Sequence, residues 1–146
     1  MTMKPLPHQY EAGLAGGPSG YVTVSASGLP SLRLEAPSDF GGPGDAWSPE
    51  HLLLAAVQSC FLLTLRAVAR ASKLDFVSLD LDASGTVDRQ DGVTRFTEIV
   101  LRPRLTIAAG TDHERAVRAL EKSEKACLVS SSLSTPIRLE PEIIEG

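Results

Sequence analysis

The run Leu52–Leu65 constrains this chain more than any other, because fourteen residues pass without a charge and only Gln58, Ser59 and Thr64 interrupt their apolar character. It follows Ser48-Pro49-Glu50, three residues that each suit a helix start. Ser48 can cap a free amide, Pro49 fits the first helical position, and Glu50 favours the positive end of the helix dipole. The helix is predicted to reach about Ser72, a length of about 36 Å at 1.5 Å per residue. Arg66 and Arg70 restore charge near its C-terminal end. A helix apolar nearly all round must be enclosed by protein on most sides. Crossing a bilayer takes about 20 apolar residues, so this shorter run reads as a buried helix rather than a membrane span.

The flanking segments read as sheet. YVTVSAS and SLRLEA alternate apolar and polar residues, QYEAGLA precedes them, and short Gly/Pro turns separate all three. That pattern predicts an antiparallel meander. The Gly/Pro-rich loop PSDFGGPGDAW then leads into the helix. Beyond it, FVSLDLDASGTVDR and VTRFTEIVLRPRLTIA are predicted to pair across RQDG, with Pro103 limiting how that strand can pair, or marking a bulge or an edge. Thr111-Asp112-His113-Glu114 has the form of a capping box opening a second helix. In that helix Ala116, Leu120, Ser123 and Cys127 share one stripe, and TPIRLEPEIIE follows as a last strand. The expected class is α+β with antiparallel sheet, residues 1–146 making one domain. Neither GGPSG nor GGPG joins a strand to a helix with the Lys-Ser/Thr that a phosphate loop needs.

Composition narrows the function. A net charge of −4, with no Lys/Arg cluster longer than a pair, argues against nucleic acid as a partner. His8, His51 and His113 are scattered and no Cys-x-x-Cys is present, so no metal site is expected. The opening MTMKPLPHQYEAG holds no apolar signal core, and a cytoplasmic protein is expected. In that compartment two cysteines seldom form a structural disulfide.

In a core, a lone cysteine ordinarily acts as a small hydrophobe. Here Cys60 and Cys127 fall on the inward faces of the two predicted helices, so packing those helices together brings the sulfurs close. A peroxidatic pair needs that arrangement: one thiolate attacks an O–O bond and becomes a sulfenic acid, and a second thiol condenses with it. Apolar surroundings raise a thiol's pKa, so a cation or donor must offset them. Glu50 is the ionisable candidate on the same helix, or else simply a first-turn carboxylate that suits the dipole. It stands ten residues from Cys60, about 15 Å along the axis. Sharing one site would require Glu50 to come from a second subunit of a two-fold dimer.

With these residues in view, SPEHLLLAAVQSC and KACLVSSSL resemble the motifs of the OsmC/Ohr family, named for osmotically induced protein and organic hydroperoxide resistance. The element order agrees over nearly the whole chain. The resemblance implies an intertwined homodimer with antiparallel sheets wrapped around two central helices. It implies a Cys-based peroxidase that reduces organic hydroperoxides, and some hydrogen peroxide, with no metal, haem or other cofactor. Cys60 would be peroxidatic and Cys127 resolving, and Glu50 would orient the site from the other subunit. A cellular dithiol, a lipoylated protein in the hydroperoxide-resistance branch, would reduce the disulfide. The sequence departs from the family where an activating arginine usually follows a Gly-Gly pair: Gly16-Gly17 is followed by Pro18-Ser19-Gly20. Arg33 could substitute only by turning inward, against its alternation with Leu32 and Leu34. Leu128 stands where many members carry proline. Two other readings stay open: a relative that binds a small apolar ligand or senses redox state without rapid turnover, and a dimeric interaction module with inert cysteines.

Overall fold

The alternating first third folds as expected into a small antiparallel sheet of order β1-β2-β3. In the computed structural model, which describes residues 3–146, these strands are Gly13–Ala15, Val22–Ser25 and Leu32–Leu34. Val22 lies across from Leu34 and Val24 from Leu32, which gives one apolar face, while Thr23 and Arg33 share the other. Only the last residues of QYEAGLA join the sheet. The following loop turns back tightly: a Cβ on Gly42 would sit 1.7 Å from the Ala36 carbonyl oxygen, so only glycine fits. Trp47 then bridges to Leu34. This unit ends at Leu52, and a second one spans Leu53–Gly146.

Helix α1 (Pro49–Ser72) starts and stops where the sequence indicates. The buried Ser48 Oγ accepts the His51 amide at 3.2 Å, and Lys73 takes a left-handed conformation (φ 55°) just past the last turn. At 24 residues α1 is long and apolar enough, by length and composition, to cross a bilayer. One face of it packs into the protein: Val57, Phe61, Leu65 and Ala69 form a buried stripe at a spacing of four. The expectation of enclosure on most sides is not met within one chain. The stripe occupies one face, and Leu63 on another is 58% exposed.

In the second unit β4 (Ser78–Gln90) and β5 (Val93–Ile107) form a long antiparallel hairpin. Asp91 and Gly92 both have positive φ, the turn geometry that matches strand twist. The ladder's irregularity falls at Thr86/Val87, not at Pro103, which stays in register opposite Leu81. The expected final strand is two, β6 (Ile137–Leu139) and β7 (Glu142–Glu145), and both run parallel to β5. Pro141 lies in the break between them. Pro103 falls in the matching gap on β5, between the residues that pair with β6 and those that pair with β7. There its missing N–H breaks no ladder bond to either strand.

Helix α2 (His113–Ala126) is capped by Asp112, whose side chain accepts the Glu114 amide at 2.9 Å. Thr111, the first residue of the predicted box, is not the cap. The helix stops at Ala126, and a single turn, α3 (Leu128–Ser131), follows. The core of this unit joins the α1 stripe to Ile99, Leu101, Leu105 and Ile107 of β5 and to Ala116 and Leu120 of α2.

Candidate thiol site

Cys60 precedes Phe61, and the burial of that ring in the α1 stripe fixes the direction of the cysteine beside it. Its sulfur keeps some solvent access and lies 3.9 Å from Thr64 Oγ1, one turn further along the same side. Cys127 is fully buried. It does not continue the α2 stripe as its spacing suggested. Its extended backbone (φ −65°, ψ 118°) makes it the junction between α2 and α3. That break leaves the two thiols near enough for each to shift the other's acidity.

The two sulfurs differ in acidity. Burial pushes the Cys60 thiol up, but the Val129 amide, the Cys127 thiol, the Thr64 hydroxyl and the Leu128 amide all favour its thiolate. The net result is a pKa below the ordinary thiol value. Burial also pushes Cys127 up, and there it prevails: the Ser130 hydroxyl and amide oppose it, while the neighbouring Cys60 adds to it. One thiol is therefore disposed to ionise and the other to stay protonated. Neighbouring groups whose environments drive their pKa values apart divide naturally into a nucleophile and a partner.

Glu50 does not join the thiols within this chain, since ten residues of α1 separate it from Cys60, about 15 Å of helix rise. It lines a cavity of about 300 Å³ with Val22, Leu34, Pro37 and Phe40, and its Oε1 is buried with no hydrogen-bond partner. Arg33 has not turned inward. It is exposed, with its guanidinium 4.1 Å from the centre of the Tyr21 ring, and Tyr21 in turn donates to Asp45 at 2.8 Å. Arg66 is exposed as well. Among the described residues, no three His, Cys, Asp or Glu side chains converge as metal ligands would.

Sequence reasoning missed the donors around the sulfurs. Thr64 had a signal, since it lies four residues from Cys60 on a helix. The amides of Leu128 and Val129 had none, because a backbone N–H leaves no mark in the sequence. The serines after Cys127 were the available hint that the second helix breaks there, as such residues favour helix starts.

Residues 42–142 match the model of a family described as OsmC-like protein. An uncharacterized protein, YmaD of Bacillus subtilis, is 28% identical over 124 residues, which cover 83% of each chain. An organic hydroperoxide resistance protein of Xanthomonas axonopodis pv. citri is 27% identical over 121 residues, 80% of each chain. Among solved structures, an OsmC-like protein of unknown function from Vibrio cholerae superposes with a TM-score of 0.85 at 18% identity, covering 92% of this chain and 99% of the other.

Proposed function

Because the chain belongs to the OsmC-like protein family, we propose that it is a thiol-dependent peroxidase that reduces organic hydroperoxides. The observation that carries this reading is the pair of neighbouring thiols, one half-buried and one buried, with oppositely displaced acidities. The Cys60 thiolate attacks the outer oxygen of the hydroperoxide and the O–O bond breaks. Sulfur keeps that oxygen as a sulfenic acid, and the alkoxide takes a proton and leaves as the alcohol. The Cys127 sulfur then attacks the Cys60 sulfur, and the displaced hydroxyl leaves with the Cys127 proton as water. A dithiol reduces the resulting disulfide and is itself oxidised.

The order of these steps follows from the site. Burial, with ionised Cys60 adding to it, holds Cys127 protonated, so the resolving thiol does not compete for peroxide. Once Cys60 is a neutral sulfenic acid that repulsion is gone, and Cys127 ionises more readily at the step that needs it. The amides at α3 and the Thr64 hydroxyl do for Cys60 part of what a guanidinium would do.

In this reading Glu50 acts from a second subunit. Its buried oxygen without a partner and the exposed Leu63 on the same helix support an assembly that covers both. The 146 residues serve as one domain, with α1 common to both units. Free thiols fit a reducing cytoplasm.

A second reading, a ligand-binding or redox-sensing relative without rapid turnover, is favoured by the outward Arg33 and the absent arginine after Gly17. Purified protein supplied with tert-butyl hydroperoxide and a dithiol separates the two. Consumption that Cys60→Ser abolishes is expected. Turnover no higher than the Cys60→Ser background overturns the peroxidase and leaves the second reading.

A further inference from the structure

Three serines are the buried polar residues among those described: Ser48, Ser123 and Ser130. Two are accounted for. Ser48 Oγ bonds to the His51 ring and amide, and Ser123 Oγ donates to the Ala119 carbonyl at 2.7 Å. Ser130 Oγ is buried with no hydrogen-bond partner. Leaving a buried hydroxyl unmatched is costly, so such a group calls for an explanation.

The Cys127 side chain makes no capping hydrogen bond in the resting site, yet the Ser130 hydroxyl and amide both favour its thiolate. Cys127 is the residue before α3 and Ser130 is the third residue within it, the spacing at which a capping side chain meets an amide. A neutral thiol is a weak acceptor, so neither donor is well satisfied while Cys127 keeps its proton. A thiolate is a strong one. The two donors are therefore matched to a charge that the resting site does not carry but that disulfide closure must generate.

We propose that Ser130 is a positioning residue for the resolving half of the reaction, its hydroxyl and amide holding the Cys127 sulfur as it loses its proton and attacks Cys60. The inference rests on the redox reading above and adds a residue to its second step. In that step the Cys127–H bond breaks, the S–S bond forms, and the proton leaves with the sulfenic hydroxyl as water. Ser130 lends a hydrogen bond and exchanges no atom.

The test uses the full-length protein with Ser130→Ala and the near-isosteric pair Ser130→Thr and Ser130→Val, of which only Thr keeps a hydroxyl. Stopped-flow oxidation with tert-butyl hydroperoxide, with dimedone trapping of the sulfenic acid, separates formation of the sulfenic acid from closure of the disulfide. Sulfenic acid formation is expected within about twofold of the parent in all variants. Closure is expected about tenfold slower in Ala and Val, the loss of one hydrogen bond to a charged group. Its pH profile should move upward in both, and Thr should restore the parent rate and profile. The Thr/Val comparison holds the size constant, so it decides the matter even if Ser130→Ala is poorly folded. Closure that is equally fast with Thr and Val at every pH overturns the role of Ser130 alone. Absence of any dimedone adduct on Cys60 in the parent protein overturns the redox reading and this inference with it.

Discussion

Cys60 and Cys127 carry the same functional group and influence each other, yet one is made more acidic and the other less. The difference lies in the donors each sulfur meets against the cost of its burial. Alkylation by iodoacetamide should read this directly, because only the thiolate reacts. The rate at Cys60 should fall as pH drops through a midpoint below the ordinary thiol value. Cys127, in the Cys60→Ser protein, should react slowly and only at higher pH. Equal midpoints for both cysteines would contradict the division of roles. The two cysteines stood out from residue type and spacing, while Glu50, singled out with them, lies apart from the thiols in this chain. The offsetting groups were not, because the amides of Leu128 and Val129 reach a sulfur 68 and 69 positions earlier only through the fold.

The break between α2 and α3 is the element that makes the site. A helix running on through Cys127 would have kept that residue on the α2 stripe and its amides inside the helix. Stopping at Ala126 instead frees the first amides of α3 to meet Cys60. Leu128→Pro tests this geometry. Proline suits the first helical position, and the extended backbone of Cys127 is the conformation that precedes proline best. The variant should fold with little change in its unfolding midpoint. It removes one amide that favours the Cys60 thiolate, so the alkylation midpoint there should rise. An unchanged midpoint would show that the Leu128 amide does not contribute. Helix α1 was readable from end to end because its cap, proline and apolar run agree. The split of the last strand was less so, because Pro141 marks the break while the parallel pairing with β5 depends on distant residues.

At the scale of the molecule, α1 carries apolar surface that stays exposed. Leu63 at 58% exposure and the buried, unpartnered Glu50 oxygen both lie on it. The protein should therefore sediment as a dimer at micromolar concentration. Leu63→Glu should weaken that dimer by at least about a hundredfold, since a two-fold contact loses the leucine twice and each burial is worth about 1.5–3 kcal/mol. A parent protein that sediments as a monomer, or a variant that dimerises as well as the parent, would remove the support for Glu50 acting across subunits.

The sequence alone determined the α+β class, the position of the long helix and the identity of both thiols. Those properties follow from local periodicity, capping chemistry and residue type, which neighbours along the chain decide. Only the tertiary structure decided that Cys127 ends a helix and that amides and hydroxyls are the donors that offset the burial of Cys60. These depend on the balance of burial against donors from remote segments, and that balance exists only once the chain has packed.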